Sequence, residues 1–205
     1  MISWFALALA LQHDMHAGHE MAPPPDPFSL FNHHLAGLLV ILVAVFTYLE
    51  ESRFGTTHRW VKYLWPLPLL AVATFVLLRS DSFVTLHWSE WLPDTEAVQH
   101  KLFGLLALAI GGIELLRRAG QLQHPAWGYV FYAGAFIGGL FLLFHAGVQH
   151  SHIIHQQHIG MGTAAVAIAV AKTWSDFQKH SPWLRLYLVP ALFVVLGLQL
   201  ALYVE

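Results

Sequence analysis

The 205-residue sequence has no cysteine. Disulfides, thiolate-bound zinc, iron–sulfur clusters and cysteine nucleophiles are all excluded. Charge is scarce too: 11% of residues are Asp, Glu, Lys or Arg, against about 25% in an ordinary soluble domain. Hydrophobic residues make up 57% and mean hydropathy is +0.55, which fits neither a water-soluble globule nor a disordered chain. A net charge of −2 leaves no basic face for a nucleic acid. What the chain has in excess is histidine, fifteen in all. These proportions describe a small, histidine-rich membrane protein.

A bilayer core needs about 20 largely apolar residues per helix. Six stretches qualify, at 33–50, 60–79, 100–117, 127–149, 158–174 and 183–204. Prolines 66, 68 and 190 fall inside them, which membrane helices tolerate when neighbours satisfy the freed carbonyls. Ahead of them, the short apolar run from Trp4 to Leu11 reads as the core of a signal peptide or as a surface helix, spanning residues 1–12. Residues 13–32 begin with a stretch rich in His, Met and Pro and read as a flexible tether outside the membrane. Residues 33–205 then form the transmembrane bundle.

Lys and Arg near the span ends set the orientation. Eight of the ten (Arg53, Arg59, Lys62, Arg117, Arg118, Lys172, Lys179 and Arg185) belong to three alternate loops, and only Arg79 and Lys101 lie on the other side. The basic loops are therefore expected in the cytoplasm and both termini outside. Trp60, Trp65, Trp127, Trp174 and Trp183 fall at the expected inner interface, and Trp88 and Trp91 at the outer one, as an aromatic belt.

The three inward-running spans open alike. His33 precedes Gly37, His100 precedes Gly104 and His158 precedes Gly162, each by four positions. The expected fold is an all-α integral membrane protein of six transmembrane helices, arranged as three helical hairpins. Gly134 with Gly138, and the small residues from Gly160 to Ala169, suit close helix packing.

Sorting histidines by side gives the functional lead. His58, His124 and His180 fall in basic loops and are read as solvated. The other twelve are His13, His16, His19, His33, His34, His87, His100, His145, His150, His152, His155 and His158, all outside or at outer span ends. Neutral imidazole is the commonest metal ligand and is costly near hydrocarbon unless it is paired or ligating. If residues 152–158 are helical, His152, His155 and His158 share one face. The tether adds Met15 and Met21 to its histidines, and Met161 follows His158 by one turn. Thioethers favour Cu(I), while imidazole takes copper or zinc. A multi-histidine copper site at the outer mouth follows, with capture by the tail and hand-over from His34, His100, His145 and His158. Its partners would be the bilayer, the metal ion, and a periplasmic metal chaperone or another membrane protein.

The tail at 13–21 and the histidine-led spans one, three and five resemble the inner-membrane copper-resistance proteins of the CopD or PcoD type. That resemblance implies copper handling at the periplasmic face, with His34, His100 and His158 among the ligands.

Two other classes remain open on the residues alone. A b-type cytochrome would clamp one haem between two histidines, for example His100 and His158. A zinc or di-iron membrane enzyme would use the cluster at 150–158 with an acid or base such as Glu90, Asp94, Glu96 or Ser151. Glu114 and Lys172, each fourteen residues after a repeat histidine, are expected either to snorkel to the inner boundary or to pair with each other.

Overall fold

The structure, a computed structural model, describes residues 27–79, 95–145, 152–178 and 182–205. These are helical, with no strand among the described residues. The helices are α1 (Pro27–Glu51), α2 (Arg53–Thr57), α3 (Pro66–Arg79), α4 (Thr95–Arg118), α5 (Gly128–His145), α6 (His152–Phe177) and α7 (Val189–Ala201). A 3-10 stretch, Arg59–Tyr63, leads into α3 and another, Pro125–Trp127, into α5, while a π-turn, Leu184–Leu188, leads into α7. The expected signal segment, the tail at 13–21 and residues 150 and 151 lie outside the described residues. So do His87, Trp88, Glu90, Trp91, Asp94, Lys179 and His180.

Local chemistry accounts for the helix ends. α1 starts at Pro27, six residues ahead of the expected span, because proline loses no helical bond in the first turn and Phe28, Leu30 and Phe31 extend the apolar surface. Pro66 opens α3 for the same reason. Pro190 stands in the first turn of α7, directly after the widened π-turn, whose backbone bond runs from Val189 N–H to the Leu184 carbonyl. Such widening accommodates a residue without an N–H. Just past the end of α4 stands Gly120, whose φ of 77° lets Gln121 N–H reach the Leu116 carbonyl and Gly120 N–H the Arg117 carbonyl, both at 3.0 Å. That pair of bonds closes the last turn on a left-handed glycine.

Among the described residues, five segments are long and apolar enough to cross a membrane: Pro27–Glu51, Arg59–Arg79, Ala97–Arg118, Pro125–Phe144 and Leu184–Ala201. α6 has the length, at 26 residues, but His152, His155, Gln156, Gln157 and His158 dilute its first turns and Lys172, Thr173, Ser175 and Asp176 its last.

The helices form a closed ring in chain order, α1–α3–α4–α5–α6–α7 and back to α1. Tight and loose seams alternate around it. The closest pairs are α1 with α7, α3 with α4, and α5 with α6, and each of these seams contains one repeat glycine. A Cβ on Gly37 would stand 2.4 Å from Ala201 N, one on Gly104 2.9 Å from Leu77, and one on Gly162 2.8 Å from the Gly139 carbonyl. The tight pairs are thus not the hairpins joined by the basic loops. Each histidine-led helix packs instead on the helix before it in the ring, and α1 finds that neighbour in α7.

One end of the ring is closed by charge and aromatic packing. Glu114, 3% exposed, is held by Arg117 and Arg118, and Arg118 also pairs with Glu50. The Arg118 guanidinium lies 5.0 Å over the Trp65 ring, and Trp65 meets Phe131 edge-on at 5.7 Å. Lys172 bonds Asp176 at 2.7 Å, and Tyr132 donates to the same carboxylate at 2.5 Å. Glu114 and Lys172 therefore neither snorkel nor pair with each other. Each takes a partner of opposite charge one helical turn away.

Candidate functional site

At the other end, three of the expected histidines come together. His33 of α1, His100 of α4 and His158 of α6 are the three that precede a repeat glycine by four residues. The His33 ring centre is 6.4 Å from that of His100 and 6.4 Å from that of His158, with interplanar angles of 78° and 86°. The first turns of their helices hold two of the rings in place. His33 Nδ1 donates to the Ser29 carbonyl and His158 Nδ1 to the Ile154 carbonyl, each at 2.9 Å. In a neutral ring bonded this way, Nε2 carries the lone pair. Anchoring of one ring nitrogen on a backbone carbonyl is also how metal-ligating histidines are oriented.

Tyr203, beyond the end of α7, backs this cluster. Its ring stacks on His33 at 3.8 Å and 18°, and meets His158 edge-on at 6.1 Å. Its carbonyl accepts from His34 Nε2 at 3.0 Å, while the next residue exchanges two bonds with Gln157, at 2.8 and 3.1 Å. His34, expected among the ligands, is thus an exposed residue that fastens the C-terminal segment to α1. His33, its neighbour, is the one that joins the cluster.

The three imidazoles open onto a half-open chamber of about 390 Å³ lined by helices of the ring. Its polar lining lies at the histidine end: Ser29, Asn32, Arg79 and Gln99 beside the three histidines. Toward the charged end the lining is apolar, down to Val43, Ile110, Phe131 and Ile168. From Ser29 to Val43 along α1 this is about 21 Å at 1.5 Å per residue. Met161, 2% exposed, contributes its thioether to the wall one turn below His158.

The remaining expected ligands are dispersed. His152 is exposed and His155 half-buried; α6 does begin at His152, but of its three histidines only His158 lines the chamber. His145 closes α5. His13, Met15, His16, His19, Met21 and His150 lie outside the described residues, as does Ser151. Among the described residues, no three His, Asp or Glu side chains stand close enough to hold an ion as they are placed.

Spacing explains why. With a metal–nitrogen bond of about 2.0–2.1 Å, three imidazoles on one tetrahedral ion have ring centres about 5.2 Å apart, and two imidazoles on opposite sides of a metal about 6.4 Å. The observed 6.4 Å is the second figure. Three participants escaped the sequence reading: Tyr203, Arg79 and Asn32. Arg79 left a trace as one of two basic residues opposite the basic loops; Tyr203 and Asn32 left none.

Neither protein-family models, curated proteins nor solved structures provide a match to this chain.

Proposed function

We propose that this chain is a six-span membrane cytochrome that holds one b-type haem near the outer end of its helix ring. His33, together with His100 or His158, each 6.4 Å from it, would hold the haem iron. The observation that carries the proposal is a perpendicular, 6.4 Å imidazole spacing at the mouth of a 390 Å³ apolar chamber. A bare ion needs no such chamber, whereas a flat apolar macrocycle does. With the chamber's three histidines all at one end, a single haem held there would exchange electrons with a partner on that face rather than across the bilayer.

The sixth span is α6. Its modest hydropathy matches its place in the ring, where His158, Met161, Gly162, Ala164, Ile168, Ala169, Ala171 and Ser175 are buried against protein rather than lipid. The charge bias of the loops puts the histidine end outside, at the periplasmic face of an inner membrane.

A second reading is copper capture and hand-over, in line with the resemblance to copper-resistance proteins. It is favoured by Met161, a buried thioether on the wall beside His158, a pairing that suits Cu(I). Binding a bare ion would draw the three rings together by about 1 Å, given the tetrahedral spacing above.

The test is one optical spectrum and one metal analysis on protein purified in mild detergent. A Soret band with about one iron per chain, lost in His33→Ala and in one of His100→Ala and His158→Ala, is the expected result. Copper without a Soret band would replace the haem reading with the copper one. Absence of both overturns the imidazole site.

A further inference from the structure

Two polar atoms at the rim of the chamber have no hydrogen-bond partner. Arg79 Nε and Asn32 Oδ1 are both fully shielded, and both residues line the histidine end. A buried donor or acceptor left unmade costs about 1–3 kcal/mol, and more on a charged group.

Arg79 ends α3, where a basic side chain ordinarily serves the terminal carbonyls. Here other residues do that work. Lys101 Nζ donates to the Leu77 carbonyl at 3.2 Å, and Asn32 Nδ2 donates to the carbonyl of Arg79 itself at 3.0 Å. The Arg79 guanidinium lies instead 4.6 Å over the Phe28 ring. Phe28 precedes His33 by five residues, so the guanidinium stands about 7.5 Å farther out along α1 than the imidazole cluster. A cation is thus fixed at the polar mouth of the chamber, roughly one carboxylate-bearing arm away from the candidate ligands.

We infer that Arg79, positioned by Asn32 and Phe28, is the anchor for a carboxylate of the chamber's ligand, a haem propionate. The inference rests on the haem reading and deepens it: the ligand enters with its apolar edge toward Val43 and Ile110 and its acidic edge toward Arg79. The guanidinium fork suits a carboxylate in two-point contact. Asn32 holds the end of α3 in register, and so acts through Arg79.

The experiment uses the full-length protein, stripped of haem in detergent and titrated with haem b or with its dimethyl ester, which has the same macrocycle without the carboxylates. For the wild type, haem b should bind about ten- to a hundredfold more tightly than the diester, the range of one charge-assisted contact. Arg79→Gln should lose that preference while binding the diester as the wild type does and keeping the bis-histidine spectrum. Its haem should also show a lower midpoint potential, because a positive charge has left the neighbourhood of the iron. Arg79→Lys should recover part of both. Equal binding of the two haems by the wild type, or an unchanged preference in Arg79→Gln, overturns the anchor and leaves the haem reading standing. A wild type that binds neither haem overturns both.

Discussion

The ring of Tyr203 lies stacked on the imidazole of His33, centres 3.8 Å apart and planes 18° from parallel. The contact joins the residues just after the ring's last helix to the first turns of its first helix, at a histidine that is near both others. It sets the face of His33 while the Ser29 carbonyl sets its edge, so the ring is constrained in two directions.

Tyr203→Leu removes that stacking but keeps the backbone carbonyl that His34 uses. An aromatic pair contributes about 0.5–1.5 kcal/mol beyond its area, so affinity for the metal group should drop roughly two- to tenfold. The bound spectrum should broaden as His33 gains freedom. Titration of Tyr203→Leu and Tyr203→Phe together checks this. The Phe variant should behave as the wild type.

The glycines at the tight seams should be intolerant of even one methyl group. At Gly37 a Cβ would fall 2.4 Å from Ala201 N, a backbone atom that cannot swing aside. Gly37→Ala should therefore destabilise the protein by about 1–3 kcal/mol, as overpacking does. Gly112, with nothing within 4 Å of its would-be Cβ, is the control; Gly112→Ala should be neutral or slightly stabilising, since alanine favours helix. Thermal unfolding in one detergent, read by loss of monomer, separates the two.

Protonation should empty the site. A ligating imidazole must offer a lone pair, and a proton competes for the same nitrogen. Binding should therefore be level toward base and weaken toward acid. The loss runs toward acid, because the protonated form is the one that cannot ligate. A Soret or metal-content profile carried from pH 8 well into the acid range measures it; binding that strengthens toward acid would exclude histidine ligation.

Much of this was written in the spacing of a few residues. Three histidines, each four positions before a glycine, mark three equivalent helix starts, and the structure places those three together. The same register singles out His33 over His34, since only His33 stands four residues before Gly37. The partner of each glycine could not be read in this way. A small residue announces that something approaches closely, but not from which side, and all three glycines turned toward the preceding helix rather than the following one. The chamber was equally hidden. It is a property of six helices held apart by Phe and Leu side chains, and no local pattern encodes an interior.

The α1–α7 seam has a consequence for how the molecule is made. Four of the six long helices find their tight partner next to them in sequence, so α3 with α4 and α5 with α6 can settle as soon as each pair is synthesised. α1 cannot. Its contact partner is 169 positions away at the His34–Tyr203 bond, and until α7 is in place α1 has only the looser α3 seam. The wall of the chamber, which includes Phe193, Leu196 and Leu200, is thus complete only when α7 has joined α1, and Tyr203 then brings its ring onto His33.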